Sequence, residues 1–141
     1  MGLFGSDDND TPKFTEPVDP NWVRTPEGGF LPFLSLDPEK LGLSGVGGVY
    51  LIWHAGVRPE WVYAGHTKDL AAAFHHLVAA NAEVVEYEKN GGLFVAWALV
   101  KEEFRAGVVK YMQEQFKTLV PSNDFNPKAT PVPVIPPLAK R

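Results

Sequence analysis

The chain has 141 residues, 45% apolar and 21% charged, which is enough to fold one domain around a sizeable core. It has no cysteine, so a disulfide framework, a thiolate metal site and a cysteine nucleophile are excluded, and the composition fits a reducing, cytoplasmic compartment. No apolar run approaches the roughly 18 residues of a membrane span, and the net charge of −4 argues against nucleic acid as a partner, because such binding draws its affinity from a basic face.

Residues 1–28 read as a flexible acidic, proline-containing tail. Asp7, Asp8 and Asp10 are solvating, and Pro12, Pro17, Pro20 and Pro26 interrupt regular structure. Phe14, Trp22 and Val23 are apolar exceptions that dock either on the domain or on a partner. Gly2 and Ser6 have the spacing of an N-myristoylation signal, which has meaning only in a eukaryotic host.

The folded part is expected over 29–126. Asp37-Pro38-Glu39 has the chemistry of a helix start, and Gly42 ends that helix within a turn. Gly45, Gly47 and Gly48 do not form a phosphate loop, since no Lys-Ser/Thr follows and the next run, Val49-Tyr50-Leu51-Ile52-Trp53, is a strand. Turn chemistry at 54–59 separates it from a second strand, Trp61-Val62-Tyr63-Ala64-Gly65, so the two predict an antiparallel hairpin.

A helix then begins with Thr67 as its expected N-cap, and Leu70, Phe74, Leu77 and Val78 form its core-facing stripe. Asn81 ends or breaks it, and 82–90 holds a short second helix or none. Residues 93–100 are apolar at every position, which suits a central strand covered on both faces. A last helix is expected over about 102–119, burying Phe104, Val108, Met112, Phe116 and Leu119, with Pro121 as its stop. Five prolines between Pro127 and Pro137 make 127–141 a proline-rich tail, read either as a stiff linker or as a strap over the surface.

The order is β-β-α-(α)-β-α: an α+β fold with a small mixed or antiparallel sheet of about three strands flanked by helices. Gly48-Val49-Tyr50, followed with twelve residues between Tyr50 and Tyr63 by Tyr63-Ala64-Gly65, resembles the GIY-YIG nuclease domain, and so does the ending from Pro121 to Asn123 or Asn126. The resemblance covers 47–126. It implies metal-dependent DNA cleavage, with both tyrosines near the attacking water, an arginine eight residues past the second glycine, and a metal-holding glutamate on the later helix.

Two of those groups are missing. The arginine position falls on Ala73, and no arginine occurs from Glu60 to Glu103. The glutamate position falls near Lys110, Tyr111 or Met112. Phosphodiester cleavage needs cations set against developing charge, and one such donor is worth about 10²–10³ in rate. The first expectation is therefore a non-catalytic protein-binding or scaffold module without cofactor, with a relic cleft of Tyr50, Tyr63, His66 and Ala73. The alternative is a Mg- or Mn-dependent nuclease in which Lys68 or His76 replaces the arginine and Glu114 the metal ligand, beside Tyr50 and Tyr63. Glu83, Glu86 and Glu88 read as a solvated edge, Trp53, Trp61 and Trp97 as packing residues, and homo-oligomerisation is open.

Overall fold

The computed structural model describes residues 16–138. Phe14 and the Gly2 signal lie outside the described residues. The elements are β1 (Leu31–Pro32), β2 (Gly48–His54), β3 (Glu60–Thr67), α1 (Leu70–Ala80), α2 (Ala82–Glu86), a 3₁₀ turn (Tyr87–Lys89), β4 (Leu93–Ala98) and α3 (Glu102–Phe116). The strands form one antiparallel sheet in the order β1-β4-β2-β3. The α+β class is as expected. The sheet has four strands rather than three because Leu31 and Pro32 pair with Val95 and Phe94, a contact too short to leave an alternating pattern in the sequence.

β2 and β4 are the inner strands, and every residue of β2 is buried. Side chains alternate across a strand, so each face needs its own cover. Tyr50, Ile52, Val95 and Trp97 meet Leu70, Phe74 and Leu77 of α1 on one face. Val49, Leu51, Trp53 and Ala96 meet Phe104, Val108 and Met112 of α3 on the other. No helix among the described residues is long and apolar enough to cross a membrane.

Local chemistry explains the element ends, with three departures from expectation. Asp37 and Gly42 bracket a single turn: the Asp37 carboxylate accepts the Lys40 N–H at 3.3 Å, and the Leu43 N–H closes on Pro38 O at 3.0 Å. The N-cap of α1 is Asp69, not Thr67, which still belongs to β3; Asp69 Oδ1 accepts the Ala72 N–H at 3.1 Å. This start turns the helix so that Ala71 is buried and Val78 is 45% exposed. Asn81 ends α1 and caps α2 through the Val84 N–H. α3 stops at Phe116 because Lys117 adopts a left-handed conformation, φ 57°, which leaves Leu119 outside the helix.

The boundaries expected near residues 28 and 126 do not separate tails from a domain. Segments 16–28 and 127–138 reach the core on the α3 side of the sheet through Trp22, Val132 and Val134, each at most 4% exposed. The Trp22 indole N–H donates to Ile135 O at 2.7 Å, Arg24 donates to Pro137 O at 3.0 Å, and Val18 and Val134 form a parallel bridge. An extended proline-rich segment has no internal hydrogen bonds, so its polar groups take partners from the domain. The Val132 N–H donates to Gly107 O at 3.0 Å, and a Cβ on Gly107 would sit 2.2 Å from Thr130 O. Gly107→Ala is expected to push this strap off α3 and destabilise the fold by about 1–3 kcal/mol. Urea denaturation of the full chain measures it, with fluorescence tracking the loss of Trp22 burial.

Candidate functional site

The hairpin register sets the tyrosines together. Tyr50 pairs with Gly65 and Ile52 with Tyr63, so the two rings are diagonal neighbours on the α1 face of the sheet. They stack with centroids 6.2 Å apart, and Tyr50 also meets Phe74 edge-on at 5.3 Å. Gly65 lies beneath Tyr50, where a Cβ would come within 2.4 Å of the hydroxyl oxygen. The glycine of the second motif is thus a packing requirement of the tyrosine of the first.

The chain after α3 closes over this pair. Its left-handed turn at Lys117 lets the Leu119 N–H reach Trp61 O at 3.0 Å and the Val120 N–H reach Val62 O at 2.9 Å. These bonds cover the outer edge of β3 where its pairing with β2 shifts register, between Ile52 and Trp53. Residues 122–124 then land on the tyrosine side. The Asn123 N–H donates to the Tyr63 hydroxyl at 2.8 Å, and the His66 N–H donates to Asp124 Oδ2 at 3.1 Å. The Ser122 hydroxyl donates to Asp124, and the Ser122 N–H to Gln113 Oε1 at 2.6 Å. His66 Nε2 stands 3.7 Å from the Asp124 carboxylate, and both residues are half-buried.

The expected cleft residues therefore share one region, with a seal made of the chain itself. Tyr50 and Tyr63 are 4% and 2% exposed, and Ala73 packs half-buried against the same cluster. Gln113, Ser122 and Asp124 were not singled out in the sequence. Ser122 and Asp124 carry only a turn signal within Pro121-Ser122-Asn123-Asp124, and the hairpin partners of Asn123 and Asp124 are about sixty residues away.

The alternative catalytic set is not assembled. Lys68 extends to Glu102 at 3.8 Å and is 85% exposed. His76 is exposed on α1, while its neighbour His75 pairs with Glu39 at 2.9 Å. Glu114 belongs to α3, on the sheet face opposite the tyrosines, and pairs with Lys110 at 3.2 Å. Lys110 also donates to Pro127 O at 3.1 Å. Magnesium and manganese need several oxygen ligands converging on one point. Among the described residues no three His, Asp or Glu side chains stand where they can share a metal ion. Of the expected packing residues, Trp53 and Trp97 are buried, and Trp61 lies half-buried against Phe116. Glu86 pairs with Lys89, and Glu88 accepts the Leu93 N–H.

Compared with known families, curated proteins and solved structures, the chain matches none.

Burial raises the Tyr50 hydroxyl well above the ordinary tyrosine pKa of 10.0, with smaller contributions from Tyr63 and the Asp124 charge. Burial also raises Tyr63, and the Asn123 N–H partly opposes the shift. A neutral phenol held in the folded state means that the unfolded chain loses its protons first. The stabilising effect is complete below pH 10 and falls away as pH rises above it. Absorbance at the phenolate band is expected to show these two tyrosines silent in the native protein above pH 10, titrating only as the chain unfolds. Native-state ionisation of all four tyrosines near pH 10 contradicts the assignment.

Proposed function

We propose that this chain is a non-catalytic binding or scaffold module of GIY-YIG-like design that works through protein–protein contact. The observation that carries the reading is the environment of Tyr63: its hydroxyl accepts a backbone N–H from Asn123 and is closed in by residues 122–124. A nuclease needs that hydroxyl at an open cleft beside a cation. Here α1 presents Ala73, and Lys68 and Glu114, two of the residues able to replace the missing cation and acid, are paired with Glu102 and Lys110.

Charge supports the same reading. Between Gly29 and Asn126 there are 8 Lys and Arg against 11 Asp and Glu, and these cations do not cluster along the chain as a phosphate-binding segment would. Three of them, Lys68, Lys89 and Lys110, are each paired with a glutamate. The domain does display apolar side chains, among them Val57 and Leu99, of the kind that a protein partner covers.

With Mg²⁺ or Mn²⁺, the full-length chain is expected to leave plasmid and branched DNA uncut. Divalent-dependent nicking abolished by Tyr63→Phe and by Glu114→Ala overturns the proposal. A full-length bait is expected to retain a protein at fixed stoichiometry, and a bait that retains none removes the binding half of the reading.

A further inference from the structure

We propose that the seat on α3 that holds residues 127–137 is a recognition site for a proline-rich segment of a partner protein, which the chain's own segment occupies in cis. The proposal rests on the binding reading and names its partner class. The seat lies on the face of the sheet opposite the two tyrosines.

The first argument is how the segment is held. Proline has no N–H, so a proline-rich chain offers mainly carbonyls, and a surface that reads it supplies donors beside apolar rings. The Trp22 indole N–H donates to Ile135 O at 2.7 Å, and Arg24 to Pro137 O at 3.0 Å. Lys110 donates to Pro127 O at 3.1 Å, and the Val18 N–H to Pro133 O at 3.3 Å. Val132 and Val134 alternate with Pro131 and Pro133, and each is 2% exposed within the cluster of Trp22, Val108 and Met112. α3 is shaped for this approach. Gly107 stands inside the helix, where glycine is costly, and a Cβ there would lie 2.2 Å from Thr130 O and 2.8 Å from Val132 Cγ2.

The second argument is that the segment is separable and its seat is not full. It belongs to no helix and to no strand of the sheet, so lifting it away interrupts none of them. Beside Val134 lies an open cavity of about 350 Å³, lined also by Val18, Leu99, Phe104 and Val108. A ligand with a larger apolar side chain at that place buries surface that Val134 does not. A tethered segment competes at an effective concentration on the order of millimolar. Occupancy in cis therefore sets a threshold, which a better-fitting proline-rich segment passes and a poorer one does not.

The probe is a fluorescent peptide of the sequence 127–138, measured by anisotropy against the full chain carrying Val132→Asp and Val134→Asp, two charges that cannot stay in an apolar seat. This variant is expected to bind with a dissociation constant in the micromolar range, and the wild type about tenfold more weakly or worse, because its own segment competes. In the variant, Trp22→Phe removes the indole donor and should weaken binding about fivefold, and Gly107→Ala should abolish it. A peptide with Val134→Leu should bind more tightly, and one with its prolines replaced by alanine more weakly. Should the variant be unfolded alone, the peptide is expected to restore its circular dichroism spectrum. A folded variant that ignores the peptide, an unfolded one that the peptide does not restore, or a peptide that binds equally well without its prolines overturns the proposal. So does a wild-type dimer in sedimentation velocity that Val132→Asp and Val134→Asp dissolve, since the occupant is then a second copy. A full-length bait that still retains a protein leaves the binding reading standing when this proposal fails.

Discussion

The structure depends on a sheet whose two inner strands are apolar on both faces. β2 is buried at every position, and β4 at all but one. Such strands cannot rest on a single layer of helices, because exposing either face forfeits about 25 cal/mol per Å² of apolar surface. One face is covered by α1 and its neighbours. α3 alone does not cover the other, and the remainder comes from Trp22, Val132 and Val134. The proline-rich end of the chain is thus structural: it bonds to Trp22, Arg24 and Gly107, and it completes the layer beside α3.

The same economy of short segments shapes the region of the two tyrosines. The outer edge of β3 would otherwise present free backbone groups, and residues 119–120 bond to it just after α3 ends. Once the chain is there, Ser122, Asn123 and Asp124 fall over Tyr63 and His66. Protection of a sheet edge and closure of the cleft are one event. A helix end at Lys117 therefore bears on the proposed loss of catalysis as directly as the alanine at position 73, since the first decides whether the tyrosines face solvent and the second removes the charge they would work beside.

α1 has two unlike faces. Its inner face holds Phe74 against Tyr50 and Trp97 and belongs to the core. Its outer positions Ala72, His76 and Ala79 are exposed among the described residues, and α1 holds no Asp, Glu, Lys or Arg.

Much of the fold was legible along the chain because its signals are local. The hairpin at 54–59, the double-sided apolar run of β4, the break at Asn81 and the order of elements all follow from side-chain period and turn chemistry. So did the missing arginine at Ala73, which is a matter of residue identity alone. The sequence could not decide which residues cover the second face of the sheet, nor that Ser122 and Asp124 close over Tyr63 and His66, since partners sixty or a hundred residues apart leave no periodic trace. Propensity also misplaced the cap of α1 by two residues and the end of α3 by three, because Asp69 and Lys117 take their conformations from the strand edge and the core they adjoin. Local chemistry determined what the elements are; long-range burial decided which surfaces they leave open.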